Sequence, residues 1–370
     1  MQRPKVLVVG PFSEQAGGVI TFQKNLIEHS DLKERWDFVP YNISRPAKKN
    51  KNISHGYEAF LQSDVLRMTR AVNVTAKNML KFPLQLSNID VLQIQSSDYY
   101  SFWEAAIYTR IAKSLGKPTV VRFGGAFDNF YEQSSTKEQK AIRACLQHPD
   151  QIVVQSQKWK EYFSQFTDPK RLNIVPNAVP FPPPIPKREN KIPVALFICT
   201  AEAKRKGIET ILKAAPKFRG SASFLFIAAN EEVHQQVKDL GLDDMITVRG
   251  TVRREEMKEN IYPNVDIFLI PSHGEGFPNS MLEAMAAGLP VIGSYAGAIP
   301  EVIIPPKNGF LIEASDAPLL VEKLNQLVQN PSLREEQGKY NHKLCETTYE
   351  IKNLFRRFDQ VWNKAIQQQR

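Results

Sequence analysis

Cysteine is scarce: only Cys145, Cys199 and Cys345 occur among the 370 residues. They are odd in number and far apart, which excludes a disulfide framework and a close-spaced zinc cluster and leaves buried thiols as the reading. No stretch reaches the roughly 18 to 20 uninterrupted apolar residues that a membrane-crossing helix needs. The opening MQRPKVLVVG enters a strand-like run without a hydrophobic leader, so a cytoplasmic location is expected. No unit of roughly 20 to 50 residues repeats, and the one low-complexity tract is rich in proline, so solenoids and arrays are excluded. Nucleic-acid recognition motifs and aromatic-basic interleaving are missing too, and nucleic acid is not an expected partner.

What is present reads as two domains. At 370 residues and 42% apolar content the chain is too long for one comfortable core. Short β-branched runs recur at Lys5–Val9, Val91–Ile94, Thr119–Val121 and Ile152–Val154. The rhythm resumes at Val194–Ile198, Phe224–Ala228, Ile246–Val248, Ile267–Ile270 and Val291–Ile292. Helix-length mixtures of polar and apolar residues separate the runs, which predicts an α/β protein built of βαβ units with parallel sheets covered on both faces. Between the halves lies VPNAVPFPPPIPKREN, whose prolines forbid a regular element and stiffen an extended connector. The expected division is a first domain over residues 1–180, a linker over 181–190, a second domain over 191–350 and a closing helix over 351–370. Phe355, Phe358 and Trp362 in that last segment are suited to pack on a neighbour.

The net charge of +9 is unevenly shared: residues 1–190 hold 26 Lys+Arg against 17 Asp+Glu, and residues 191–370 hold 22 against 22. A basic first half suits an anionic membrane surface, a phosphate-bearing acceptor or nucleic acid, and charge alone does not choose among them. Arg45, Lys48, Lys49 and Lys51 come just before Ala59–Phe82, where Leu61, Val65, Met68 and Val72 recur at helical spacing with Arg70, Lys77 and Lys81 elsewhere. Such a helix either lies on an anionic membrane or covers the sheet with its charges in water.

The most informative stretch is Pro271–Glu301, PSHGEGFPNSMLEAMAAGLPVIGSYAGAIPE. It follows a buried-looking strand and has the punctuation of a loop that turns into a short helix. Pro278 suits the first helical turn, Asn279–Ala287 contains good helix formers, Gly288 is a natural stop and Pro290 prevents continuation. Glu275 is then in the loop and Glu283 on the helix. Gly276, Phe277, Pro278, Asn279 and Ser280 would present a helix N-terminus to an anion, phosphate above all. Two carboxylates beside a phosphate site would repel the ligand unless they faced its uncharged parts, and sugar or ribose hydroxyls are natural donors to them. A nucleotide sugar meets both requirements.

Glu275 and Glu283, spaced E-x7-E within EGFPNSMLEAMAAGLPVI and followed by AGAIPEVI, resemble the donor-site signature of the family 4 retaining glycosyltransferases. The resemblance implies a GT-B fold: two Rossmann-like domains facing a central cleft, with C-terminal helices packing back toward the first. It covers most of residues 150–312 well and the first 150 in outline. Gly17 and Gly18 after KVLVVG resemble the family's glycine-rich loop at the donor phosphates. Lys206, after Lys204 and Arg205 and before Gly207, resembles the lysine that contacts the diphosphate. Thr247–Val252, with Gly250 and Val252, resembles the segment whose backbone cradles the base, and VPNAVP resembles the Pro-Asn-Gly segment at the domain junction. By resemblance, Glu275 holds sugar hydroxyls, Glu283 holds ribose hydroxyls, and Arg205, Gly276, Phe277, Pro278 and Asn279 also line the donor site.

The sequence departs from the family in three places. Thr200 stands where members often carry an Arg, Ala178 where they commonly have Gly, and no His occurs between His55 and His148. Arg122, Gly124, Gly125 and Asp128 occupy the region where the family His would lie, and Asp128 is the acceptor-side candidate. No Asp-X-Asp triplet occurs, so no metal and no cofactor are expected; Lys206 and backbone amides would meet the developing phosphate charge. The expectation is transfer of a hexose, with retention, from a nucleotide-diphosphate sugar to a glycan or lipid-linked acceptor in surface polysaccharide or glycolipid synthesis, on the inner face of the membrane. A sugar-nucleotide epimerase of the same fold and a non-catalytic partner subunit that binds nucleotide sugar stay open as alternatives.

Overall fold

In the computed structural model the described residues are 3–12, 18–28, 30–44, 65–97, 99–125, 127–180, 190–199 and 202–369. The chain divides into two units, Met1–Asn177 together with Ile351–Arg370, and Ala178–Glu350.

The first unit is built on β1 (Lys5–Gly10), β2 (Asp37–Asn42), β3 (Val91–Ser96), β4 (Thr119–Phe123), β5 (Gln151–Val154) and β6 (Leu172–Ile174). They form a six-stranded sheet in the order β2-β1-β3-β4-β5-β6, and every pair is parallel. One face is covered by the helices Val65–Leu86, Tyr99–Ser114, Phe127–Gln133 and Gln157–Ser164, with Phe82, Tyr108, Phe123, Phe127 and Phe163 buried in a single cluster. The helix Ile351–Gln367 belongs to this unit. Its Trp362 is fully buried, donates Nε1–H to Gln93 Oε1 of β3 at 2.9 Å, and meets Trp36 edge-on at 5.2 Å. Asp359 on the same helix accepts from Trp36 Nε1 at 2.8 Å and pairs with Arg35 at 3.0 Å.

The second unit repeats the plan with β7 (Val194–Ile198), β8 (Ser223–Ile227), β9 (Ile246–Val248), β10 (Ile267–Ile270), β11 (Val291–Ser294) and β12 (Gly309–Ile312). Their order is β12-β11-β10-β7-β8-β9, again all parallel. Two apolar clusters sandwich this sheet, one around Phe197, Phe224 and Leu320, the other around Phe268, Met281 and Ile299. The helix Pro331–Thr348 packs on Asn279–Ala286, and the two cross at glycines. A Cβ on Gly338 would lie 2.2 Å from Gly288 O.

The expected strands are all present, and β2, β6 and β12 were missing from the expectation. Each of the three is an edge strand, bonded on one side only. Edge strands need not be apolar on both faces, and β2 even carries Pro40, which an edge tolerates because its second side makes no ladder. The amphipathic helix expected over Ala59–Phe82 is found at Val65–Leu86; its expected first residues, with Leu61, lie outside the described residues. The proline-rich linker, Thr200, Gly17 and the basic residues Arg45, Lys48, Lys49 and Lys51 also lie outside them, as does the side chain of Phe355. Cys199 and Cys345 are buried free thiols, each pushed up to about 12 by burial, and Cys145 is half-buried. Among the described residues no helix is long and apolar enough to cross a membrane.

Candidate active site

In an open parallel sheet, ligands bind beyond the carboxyl ends of the strands at the point where strand order reverses. In the second unit that point lies between β7 and β10, whose chains continue into neighbours on opposite sides. The loop after β7 carries Lys206, and the loop after β10 carries Glu275. Their side chains meet there: Lys206 Nζ lies 2.5 Å from Glu275 Oε1. Ser272 Oγ donates to the same oxygen at 2.9 Å. The lysine and glutamate side chains are 13% and 7% exposed, so this pair is largely withdrawn from water and removing either member strands the other.

The two loops are pressed together by glycine. Gly207 has φ +84°, and a Cβ there would sit 1.9 Å from the carbonyl oxygen of Pro271. Only glycine, as the cap residue between Lys206 and the helix Ile208–Ala214, lets the chain pass this close to the second loop. On the other side, Gly297 at φ +52° lies so near that a Cβ would come within 2.0 Å of Glu275 O, and Ala298 N donates to Gly276 O at 2.9 Å. The segment after β11 therefore clasps the backbone that bears Glu275.

Pro278 is not in the first helical turn, as expected, but just ahead of it. With φ −73° and ψ 118° it is the extended cap residue of Asn279–Ala286, and its carbonyl accepts from Leu282 N. Capping suits proline because it has no N–H to leave unpaired at the helix start. Gly288 ends the helix in the left-handed region at φ +74°, with Leu289 N bonded to Ala284 O. Gly276, Phe277 and Pro278 are buried, and the Phe277 ring lies 5.7 Å from that of Tyr349.

Glu283, on that helix, has different surroundings. Tyr262 Oη donates to its Oε2 at 3.4 Å, and Arg254 lies 3.5 Å from its Oε1. Burial raises the Glu283 carboxyl above its ordinary value, opposed by Arg254, by the Tyr262 hydrogen bond and by Lys258. The Tyr262 hydroxyl is itself held well above 10, first by burial and then by the Glu283 charge. Arg254, Met257, Lys258, Tyr262 and Glu283 line one side of a shallow open pocket.

The other residues singled out in the sequence are scattered. Arg205 is held by Glu202, whose carboxylate accepts from Nε at 3.1 Å, and by the carbonyl of Gly274. Its own carbonyl accepts from His273 N at 2.8 Å, so Arg205 braces the loop of Glu275. Gly250 is exposed, and its carbonyl accepts from Ala228 N at 3.1 Å; Val252 is partly buried. In the first unit, Gly18 begins the helix Gly18–Glu28, and Asp128 starts Phe127–Gln133 with its carboxylate on Asn129 N at 2.9 Å. Glu202, Ser272, Arg254, Tyr262 and Gly297 went unread. Gly297 alone carried a signal, as a glycine inside the AGAIPE segment; the others reach their partners only through the fold.

Arg122 in the first unit has only 1% of its surface exposed, at the end of β4. Its guanidinium donates to Gln95 Oε1 at 3.1 Å and to Asn177 Oδ1, and lies 3.8 Å over the Phe22 ring. Gln155 Nε2 donates to the same Asn177 oxygen at 3.0 Å. Burial pulls Arg122 down to about 9. Gly124 and Gly125 form the turn that follows, with Gly125 at φ +83°. Among the described residues no group of three His, Cys, Asp or Glu side chains is placed to hold a metal ion.

Residues 192–330 match the sequence family Glycosyl transferases group 1. The chain is 25% identical over 234 residues to the MMP alpha-(1->4)-mannosyltransferase of Mycolicibacterium hassiacum, a match covering 60% of this chain and 56% of that one. The chain therefore spans little more than half the length of that relative. It is 24% identical to the GDP-mannose-dependent monoacylated alpha-(1-6)-phosphatidylinositol monomannoside mannosyltransferase of Corynebacterium glutamicum, over 94% of this chain and 95% of that one. Among solved structures, that of Anabaena HepE in complex with UDP-glucose superposes with a TM-score of 0.74 at 13% identity, covering 97% of this chain and 99% of the other. Two six-stranded parallel sheets with this topology make the GT-B fold, and within the second of them residues 192–330 are similar to the group 1 glycosyl transferases.

Proposed function

We propose that the protein is a retaining glycosyltransferase that moves a hexose from a nucleotide-diphosphate sugar to a glycan or lipid-linked acceptor. The observation that carries this reading is the buried Lys206–Glu275 pair at the switch point of the second sheet. The family match over residues 192–330 supports it, as do the mannosyltransferase relatives and the UDP-glucose held by a structural neighbour.

The geometry suggests how charge is handled. As the bond from the anomeric carbon to the diphosphate stretches, negative charge builds on the leaving oxygen. The Lys206 ammonium is the cation nearest to hand, and the N-terminus of Asn279–Ala286 adds its amides and dipole. Glu275 pairs with Lys206 while the donor is absent and turns to the sugar hydroxyls when the diphosphate takes the lysine. The acceptor oxygen bonds to the anomeric carbon on the face the diphosphate leaves, and the leaving phosphate oxygen takes the acceptor's proton. Glu283 receives the ribose hydroxyls, the segment of Gly250 and Val252 receives the base, and Arg205 completes the donor surroundings. Asp128 lies on the acceptor side. The sequence has no Asp-X-Asp, and on this reading turnover needs no divalent ion.

A thermal-shift screen against UDP-, GDP- and ADP-sugars tests the donor site. Selective stabilisation by one nucleotide sugar, lost in Lys206→Ala, is the expected result. Stabilisation by none would remove the reading. Transfer that survives EDTA is expected as well; loss of turnover restored by a divalent ion would show that a metal shares the work. Donor breakdown at full rate without acceptor would favour the epimerase alternative. On the same reading the acceptor is met at an anionic membrane surface, to which the basic first half is suited.

A further inference from the structure

The helix Val65–Leu86 uses one side to cover the first sheet. Phe82 and Leu86 are buried, the Phe82 ring meets Tyr108 edge-on at 4.6 Å, and Thr75 bonds to Tyr100 and Glu104 of the helix Tyr99–Ser114. The opposite side is apolar in an unusual degree: Leu80 is 80% exposed and Leu84 is 76% exposed, one turn apart. Lys77 and Lys81, likewise exposed and one turn apart, alternate with them. Next to the helix end is another exposed leucine, Leu115, in the turn whose Lys117 amine donates to the carbonyls of Ser87 and Ile89. From Val65 to Ile89 the sequence contains Arg67, Arg70, Lys77 and Lys81 and no acid. The next acid, Asp90, is bonded to the Lys5 amide.

We propose that this face, centred on Leu80 and Leu84, docks the first unit on an anionic lipid bilayer, leucines entering the headgroup region and lysines meeting the phosphates. Mixed leucine and lysine without acid is the chemistry of an interfacial helix, in which apolar insertion and charge attraction act together. A second copy of the chain is a poor occupant, because a self-complementary contact would set lysine against lysine. The proposal names the surface behind the membrane partner suggested above, but its test needs neither donor nor acceptor, so the two readings fail separately.

The full chain is sedimented with phosphatidylcholine vesicles, alone or mixed with phosphatidylglycerol, at low and high salt. Binding to the mixed vesicles at low salt, about tenfold or more tighter than to phosphatidylcholine alone and weakened by salt, is expected. L80S/L84S should lose about tenfold in this binding, and K77Q/K81Q should lose most of its salt dependence. Because all four side chains are exposed, both variants should melt with the parent protein and keep its response to nucleotide sugars. Failure of the parent to bind at low salt, equal binding to both vesicle types, or full binding by L80S/L84S would overturn the proposal. So would concentration-dependent dimerisation abolished by the same leucine changes.

Discussion

Among the described residues, each unit holds a largely buried cation near the carboxyl end of its sheet, and the two are compensated in opposite ways. Lys206 in the second unit has a carboxylate at 2.5 Å, whereas Arg122 in the first has two amide oxygens and a phenylalanine ring. A paired lysine can exchange its acid for a phosphate with little change in local charge. An arginine tied to neutral amides instead fixes the backbone around it, here the end of β3 at Gln95 and the segment ending at Asn177. If Lys206 is the reacting group, as proposed, the difference teaches that the kind of partner, and not burial of charge alone, marks such a site.

The sharpest way to break the comparison is to remove both members of the ion pair in turn. Lys206→Ala should cost about a hundredfold in transfer rate, on the order of 3 kcal/mol. It should also cost about 3 kcal/mol of stability, because Glu275 is left buried with no cation and only the Ser272 hydroxyl beside it. In the double variant K206A/E275A the melting temperature should recover most of its loss while transfer stays low. Recovery of transfer along with stability would show that the pair is only structural.

Arg122→Met keeps the volume and the contact with Phe22 but leaves the oxygens of Gln95 and Asn177 short of a donor. A loss of about 1–3 kcal/mol in urea unfolding is expected, with unchanged stabilisation by nucleotide sugars. A selective loss of donor response would place Arg122 with Lys206 after all. Arg205→Ala should be milder. Its partly exposed pair with Glu202 adds little stability, up to about 1 kcal/mol. The loss should fall instead on donor affinity, because the loop of Glu275 loses its brace at Gly274.

The smallest effect concerns pH. The Glu283 carboxyl is raised in the folded chain, chiefly by burial, so folding disfavours its ionised form. That penalty is absent below the ordinary carboxylate value of 4.5 and grows as pH rises through the folded value. Glu283→Gln should therefore gain in melting temperature relative to the parent near neutrality and converge with it in acid. A gain that is the same at every pH would mean the charge is not involved.

Much of the fold was legible because interior strands of parallel sheets are apolar on both faces. β3, β4, β5, β7 and β10 stand out for that reason, while β2, β6 and β12 do not, since an edge strand is free to carry polar residues; β9, also an edge, was readable from the short apolar run Ile246–Val248. Glu275, Lys206 and Glu283 could be singled out as candidates because glycine and proline punctuate the chain around them. Tyr262 and Arg254 were not, since nothing local requires a tyrosine or an arginine there; each is defined by Glu283, which the fold brings to it from about twenty or more positions away. Pro278 shows a subtler limit. Its identity pointed to a helix start, but only the backbone angles distinguish the cap from the first turn.

The first unit is assembled from two separate stretches of chain, and that has a bearing on synthesis. Residues 351–370 leave the ribosome only after the whole of the second unit, yet Trp362 and Asp359 are what shield Trp36 and Gln93. Until then the side of the first sheet that the helix Gly18–Glu28 shares with Ile351–Gln367 stays only partly covered, while the second unit has all its own strands to hand. A chain cut before Ile351 should thus injure the half it follows least closely in sequence, leaving Ala178–Glu350 the sturdier piece.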